Sequence, residues 1–303
     1  MICVLLSTYN GEKFLKEQID TILAQIDVDL HLVVRDDSSS DSTSDIIEEY
    51  IAKYPQKIDF IKGENLGFAL SFSELIKYSY EKYPKCEYFA FADQDDVWLK
   101  NKLSIAINLL NKETTDIPIT YCSNKHLVDE KLNFIRYAWT QQEVKLTKER
   151  CMIQSFATGC TMVFNKAAAK IYISHLPDQI KVHDYLMYQQ CMFLGKVIYD
   201  HNSYILYRQH SSNQIGSPSF LNRMRRRLKT ANYKKHTLEH QNYYFLKSYK
   251  DLLTIEDIEL LSSFIFYRKN IFTKLSLLFN SKIRYTSLEL NIFYFAKIIL
   301  GGV

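Results

Sequence analysis

The first 110 residues alternate between short apolar runs and stretches of helical period. This alternation limits the chain to α/β architectures built on a mostly parallel sheet with right-handed crossovers. Ile2–Leu6 reads as a strand, and Gly11–Ala24 as a helix with Phe14, Leu15, Ile19, Ile22 and Leu23 on one face. Leu30–Val34, Ile58–Ile61 and Tyr88–Ala92 supply further strands, and Ile46–Tyr54, Gly67–Tyr80 and Leu99–Leu110 the helices between and after them. Downstream, Ile119–Cys122 and Phe156–Phe164 read as strands, with loops and a hairpin over Leu127–Thr147. A helix starts near Asn165, His183–Leu194 is helical, and Lys196–Tyr199 and Tyr204–Tyr207 are two short strands. From Phe220 onward the pattern is helical throughout. Ile215–Ser219 (IGSPS) interrupts it, so the expected division is an α/β domain over 1–215 and a helical C-terminal region over 216–303.

Three of the expected strands end in polar clusters that a parallel sheet would bring to one edge. The fourth strand, Tyr88–Ala92, runs straight into Asp93, Asp95 and Asp96. Strand interiors do not tolerate such a cluster, so it belongs at the strand's carboxyl end, where open α/β sheets bind ligands. Crowded carboxylates repel one another unless a cation or polar partners neutralise them, and hard oxygen ligands suit Mg²⁺ or Mn²⁺ bridging to a diphosphate. The segment also fits an acidic loop ending in a helix N-cap, with Asp95 or Asp96 capping the helix that follows Val97-Trp98.

The first strand ends in Ser7-Thr8-Tyr9-Asn10-Gly11-Glu12 and the second in Arg35-Asp36-Asp37 followed by a Ser-rich loop. A strand end that opens a helix suits an anion or nucleotide, and a carboxylate there can accept from a base N–H or a ribose hydroxyl. Each segment alone also fits a capped turn. Capping does not readily explain three such ends on one edge. The chain has neither GxGxxG nor GxxxxGK[ST], which argues against a dinucleotide fold and a P-loop ATPase. His183-Asp184 opens a later helix, and Tyr207-Arg208-Gln209-His210 ends a strand. Either pair can be structural, or together they supply a general base and a further metal ligand.

The net charge of +4 hides an asymmetry. Residues 216–303 carry 15 Lys+Arg against 6 Asp+Glu, whereas residues 1–215 carry 23 against 28. Six scattered cysteines without a CxxC pair speak against zinc, and Cys3 in a core strand fits reduced, buried thiols of a cytosolic protein. The chain opens directly on a strand, with no leader pattern, and no apolar run is long enough to span a bilayer.

Taken in order, STYNGE, VVRDDSSSDST, FADQDDVW, ATGCTMVFNK, VHDYLMYQQ and LYRQH closely resemble the family 2 glycosyltransferases, inverting enzymes with the GT-A fold. The resemblance covers residues 1 to about 215. The DQDDVW form with YRQHSSNQIG is similar to the bacterial rhamnosyltransferase-like subgroup. It implies a donor pocket made by Ser7, Thr8, Tyr9, Glu12, Asp37, Asp93 and Asp95, with Tyr9 against the base and Asp37 hydrogen-bonding it. It implies a divalent Mn²⁺ or Mg²⁺ held by Asp93, Asp95 and His210, and Asp184 as catalytic base. Gly159, Cys160 and His183 then fall in the acceptor-binding loop and its surroundings. Many relatives have Glu or Trp before the base where this chain has His183. The implied activity is inverting transfer of a sugar, rhamnose favoured, from dTDP-rhamnose or a UDP-sugar. The implied acceptor is a hydroxyl of a glycan or lipid-linked glycan in capsule, O-antigen or related surface-polysaccharide synthesis. A nucleotidyltransferase would want a Gly-rich basic phosphate loop that STYNGE lacks, and a silent sugar-nucleotide-binding module would not need Asp95, Asp184 and His210 intact.

The C-terminal region opens with Arg223, Arg225, Arg226, Arg227, Lys229, Lys234 and Lys235, and later carries IFTKLSLLF and LELNIFYFAKIIL. Basic residues beside apolar helices suit an interfacial helix on anionic lipid, and so a place at the inner face of the cell membrane. They equally suit a helical subdomain with solvated charges. No nucleic-acid module is recognisable.

Overall fold

The computed structural model describes residues 1–114, 116–210 and 238–300. They form two compact units. One comprises 1–141, 157–174 and 182–209, and the other 142–156, 175–181 and the chain from 210 onward. The basic run at 223–235 and the interruption at 215–219 lie outside the described residues.

The first unit holds a nine-stranded mixed sheet, with β1 (Ile2–Thr8), β2 (Leu30–Asp36), β3 (Ile58–Lys62) and β4 (Tyr88–Ala92) parallel in the order β3-β2-β1-β4. The helices α1 (Leu15–Leu23), α2 (Thr43–Lys53) and α3 (Phe68–Lys82) make the crossovers. β1 lies between β2 and β4, and Ile2–Leu6 is fully buried. A strand covered on both faces reads as a continuous apolar run, which is why it was legible.

Beyond β4 the sheet becomes mixed. β5 (Val97–Trp98) precedes α4 (Lys102–Leu110), and β6 (Ile119–Val128) pairs with the short edge strand β7 (Phe134–Tyr137). β8 (Val163–Asn165) runs antiparallel between β4 and β6. α5 (Lys148–Cys151) belongs to the second unit, while α6 (Lys166–Ser174) and α7 (His183–Leu194) return to the first. β9 (Lys196–Arg208) then pairs parallel with β6 and antiparallel with β5. Gly195, between α7 and β9, is obligatory on steric grounds, because a Cβ there would lie 2.0 Å from the Pro118 carbonyl oxygen.

Four expectations change. The strand expected over 156–164 shrinks to Val163–Asn165, because Thr161 N–H and Met162 N–H fold back onto the Thr158 and Gly159 carbonyls in a 3₁₀ turn. The two strands expected over 196–207 are one, since register shifts beside Ser123 and Asn124 absorb the polar Asp200–Ser203 stretch. Val97-Trp98 pairs with Ile205 and Leu206, and α4 is preceded by Asn101, so neither Asp95 nor Asp96 caps a helix. Finally, Cys3 is disulfide-bonded to Cys86 rather than reduced, the pairing of β1 with β4 bringing residues 83 apart in sequence together. Cys122, Cys151, Cys160 and Cys191 are free and buried.

In the second unit, α8 (Leu238–Tyr249), α9 (Ile255–Ile265), α10 (Ile271–Phe279) and α11 (Leu288–Leu300) bear out the helical reading over their length. Thr254 caps α9 and Asn270 caps α10. No helix among the described residues is long and apolar enough to cross a membrane.

Candidate active site at the carboxyl edge of the sheet

The ends of β1 and β2 are interlocked. Thr8 Oγ1 donates to Asp36 Oδ1 at 2.9 Å, and Asp37 N–H to the Thr8 carbonyl at 2.8 Å. Asn10, held at φ 47°, donates its N–H to Ser39 Oγ and accepts from Ser40 N–H, each at 2.8 Å. Glu12 accepts from Ser42 N–H at the start of α2, so its carboxylate secures the second loop to the first. Ser7 Oγ shares a 2.7 Å hydrogen bond with Ser71 Oγ. Asp37 is 3% exposed. Its carboxylate accepts from the Arg35 guanidinium and from the N–H groups of Leu66 and Gly67 at 2.9 and 2.8 Å. Tyr9 projects from this edge, with its ring half exposed.

The acidic loop is tied to the first one by Gln94, which the sequence reading passed over. Its amide accepts from Tyr9 N–H at 2.8 Å and donates to the Tyr9 carbonyl at 3.0 Å. On the other side Arg208 organises the loop. Its N–H donates to Asp96 Oδ1 at 3.1 Å, its Nε to the Asp95 carbonyl at 2.9 Å and its Nη1 to the Glu130 carbonyl at 2.6 Å. Its Nη2 pairs with Glu17, and the guanidinium lies 4.4 Å from the Phe14 ring centre. The Tyr-Arg-Gln-His motif thus supplies a fully engaged arginine one strand away from the acidic loop. His210 follows two residues later and begins the second unit.

Ligand atoms of Asp93, Asp96 and Cys160 lie within 4.8 Å of one another. Burial, then the charges of Asp95 and Asp184, push the Asp93 carboxyl up to about 7. Burial and the charges of Asp95 and Asp93 push Asp96 well above the ordinary carboxylate range. Asp96 Oδ2 is buried without a hydrogen-bond partner. A buried acceptor with no donor, among carboxylates that resist ionisation, is a site deficient in positive charge, and a divalent cation fits it. Burial and the neighbouring carboxylates also raise the Cys160 thiol well above its usual range, so it stays protonated and is a poor ligand for Mg²⁺ or Mn²⁺. The set that fits a hard cation is therefore carboxylate oxygen, with Asp96 beside the expected Asp93 and Asp95. The buried Lys102 ammonium, 3.8 Å from the Trp98 ring centre, is brought down to about 8 by burial, against the opposing charges of Cys160 and Asp96.

Asp184 lies in the first turn of α7. Its Oδ2 accepts from Gly159 N–H at 2.7 Å, 25 residues earlier in the chain. Burial raises its pKa, opposed by the Gly159 hydrogen bond and by the charge of Lys125. His183 is 4% exposed. Its ring stacks on Phe72 at 3.9 Å and meets Phe91 edge-on at 4.7 Å. Burial drops its pKa to about 3, which keeps it neutral. A Cβ on Gly159 would stand 3.0 Å from His183 Nε2 and 3.5 Å from Asp184 Oδ2, so His183 bears on the Gly159 turn from behind.

Lys125 was missed, because 127–147 and the residues just before it show no clean period. It extends β6, donates to Thr158 Oγ1 at 3.0 Å and lies 3.7 Å from the Tyr207 ring centre. Its charge acts on Asp93, Cys160 and Asp184 alike.

Comparison with known proteins agrees with this arrangement. The description Glycosyl transferase family 2 matches residues 3–172. The dTDP-rhamnosyl transferase RfbG of Shigella flexneri is 31% identical over 228 residues, 70% of this chain and 74% of that protein. An uncharacterized glycosyltransferase of Rickettsia typhi is 28% identical over 219 residues, 70% of this chain and 65% of its own length. Among solved structures, S. aureus TarS 1-349 in complex with UDP-GlcNAc superposes with a TM-score of 0.57 at 17% identity, covering 99% of this chain and 92% of that one. The mannosyltransferase PcManGT of Pyrobaculum calidifontis, in complex with GDP-Man and Mn²⁺, gives 0.52 at 14% identity over 97% and 87%. At such identities the structural likeness speaks for the fold, which is GT-A-like. With the matched residues covering more than half of it, the chain belongs to glycosyl transferase family 2.

Proposed function

We propose that this protein is an inverting glycosyltransferase that moves a rhamnosyl group from a dTDP donor to a hydroxyl of a glycan or lipid-linked glycan of a bacterial surface polysaccharide. The sugar and nucleotide rest on the similarity to the Shigella flexneri rhamnosyl transferase. The chemistry rests above all on the position of Asp184, one oxygen tied to Gly159 N–H and its charge felt at Asp93.

The Asp184 carboxylate, anchored through Oδ2 by Gly159 N–H, takes the proton of the acceptor hydroxyl as that oxygen attacks the anomeric carbon. The bond from that carbon to the diphosphate breaks from the opposite face, its electron pair leaving with the phosphate, so the anomeric configuration inverts. Burial raises the basicity of Asp184 above that of an ordinary carboxylate, which strengthens it as a proton acceptor. Asp93 and Asp95, with Asp96 behind them, are the residues that would hold a divalent cation, with His210 a further candidate ligand. A bound Mn²⁺ or Mg²⁺ supplies Lewis-acid neutralisation of the diphosphate charge. Tyr9 offers a ring to the base, while Ser7, Thr8, Glu12 and Asp37 shape the surrounding wall. Gly159 and Cys160, backed by His183, line the acceptor side. A single base suffices for this displacement. The enzyme works at the inner face of the cell membrane.

The decisive experiment measures transfer from dTDP-rhamnose and UDP-hexoses by the protein and by Asp184→Asn. The variant should bind donor as the parent does, shown by the same thermal shift, and lose transfer by about 100-fold or more. Unimpaired transfer would remove Asp184 from the role of base.

A further inference from the structure

Helices α10 and α11 turn apolar side chains the wrong way for a soluble fold. On α10 only Leu277 is buried, while Phe272, Leu275 and Phe279 follow the three- and four-residue spacing of one face and point outward. Phe272 and Phe279 are 79% and 76% exposed. On α11, Tyr294 and Ile298 face inward, and Leu288, Ile292 and Ile299 line the opposite side, Leu288 being 77% exposed. The two helices are joined by Lys274 Nζ, which donates to the Ile299 carbonyl at 2.6 Å. Each helix therefore has a second apolar stripe, in water. Contiguous exposure of this kind marks an interaction surface.

The net charge of the segment points to the partner. Residues 266–300 carry Arg268, Lys269, Lys274, Lys282, Arg284 and Lys297 against the single acid Glu289, and after the pairing of Arg268 with Glu239 and of Lys282 with Glu149 at 3.7 Å the balance is still positive. A second copy docking here about a two-fold axis would set net positive charge against net positive charge, whereas an anionic lipid surface complements it. At 1.5 Å per residue, 9 and 13 residues extend about 14 and 20 Å, short of the roughly 30 Å of a bilayer core. Helices of this kind lie in an interface rather than cross it.

We propose that the outward faces of α10 and α11 seat the protein on an anionic membrane, with Phe272, Phe279 and the α11 stripe in the acyl boundary and the net positive charge of the segment drawn toward lipid phosphate. This surface concerns where the enzyme sits and is independent of what it transfers, so its test uses no sugar acceptor. It also differs from the arginine run at 223–227 in relying on apolar contact.

The test is co-sedimentation of the full chain with phosphatidylcholine vesicles, with and without phosphatidylglycerol. The protein should pellet with the anionic vesicles, and less at high salt. Phe272→Ser/Phe279→Ser, which leaves every charge in place, should weaken binding at least about tenfold, as the loss of two inserted aromatic rings predicts. Ile292→Ser/Ile299→Ser should do the same independently from the second helix. All four positions are exposed, so melting temperature and the nucleotide-induced thermal shift should not change. Three results would overturn the proposal: no binding to anionic vesicles, binding by both variants equal to that of the parent, or a dimer in light scattering that the variants dissociate.

Discussion

The buried carboxylate cluster at the sheet edge makes a quantitative prediction through its protons. The Asp93 carboxyl is raised to about 7 from an ordinary value of 3.8, by burial first and then by the charges of Asp95 and Asp184. An acid with a raised folded-state pKa holds its proton longer in the folded chain than in the unfolded one. Between about pH 4 and pH 7 the unfolded chain therefore ionises first, and stability falls with rising pH at about 1.4 kcal/mol per pH unit. Across the window this comes to about 4 kcal/mol from Asp93, with Asp96 adding in the same direction. For a 303-residue chain 4 kcal/mol corresponds to a melting shift on the order of 6 °C. A divalent cation must displace those protons, so below pH 7 its affinity should rise about tenfold per pH unit for each proton released, and level off above. The assay is thermal unfolding with and without saturating MnCl₂ from about pH 5.5 to about pH 8. Mn²⁺ should shift the melting temperature little at the acid end and most above pH 7, and Asp93→Asn should flatten both dependences. A metal-induced shift of equal size at both ends of the range would refute the assignment of these protons to the cation site.

Three further expectations follow from the same geometry. Lys125→Met removes a cation whose charge acts on both Asp93 and Asp184, so the acid limb of the transfer rate against pH should move to higher pH. An unmoved limb would show that Lys125 only packs on Tyr207. Gly159→Ala places a methyl 3.0 Å from a His183 ring that cannot retreat between Phe72 and Phe91. Chemical denaturation should show a loss of about 1–3 kcal/mol, with kcat falling while donor affinity holds, and full activity would mean the loop can give way. Neutralising Arg225, Arg226 and Arg227 should lower the salt-sensitive part of vesicle binding without changing donor affinity, as fluorescence titration would show.

The strands β1, β2 and β4 were legible because a strand buried on both faces must be apolar throughout, and the polar residues at their ends announce the sheet edge. That edge carries Asp93, Asp95 and the STYNGE turn, all readable in sequence order. His183-Asp184 was readable as a pair, yet its division of labour was not. Local sequence places both at a helix start, and only packing sends one ring among Phe68, Phe72 and Phe91 and aims the neighbouring carboxylate at Gly159. Lys125, Gln94 and Arg208 act through partners 33 to 191 residues away, and no local period encodes such distances. The same holds for the Cys3–Cys86 bond, set by neighbouring strands rather than by spacing.

By itself, then, the sequence determined the alternation of strand and helix, the sheet edge with its acidic loop and the helical character of the described C-terminal segments. These depend on periodicity and on residue chemistry within a few positions. Tertiary structure alone decided which carboxylates crowd together, which histidine is core and which apolar stripes of α10 and α11 stay in water. Each of those is a fact about distance between segments, and proximity in space is created only when the chain closes on itself.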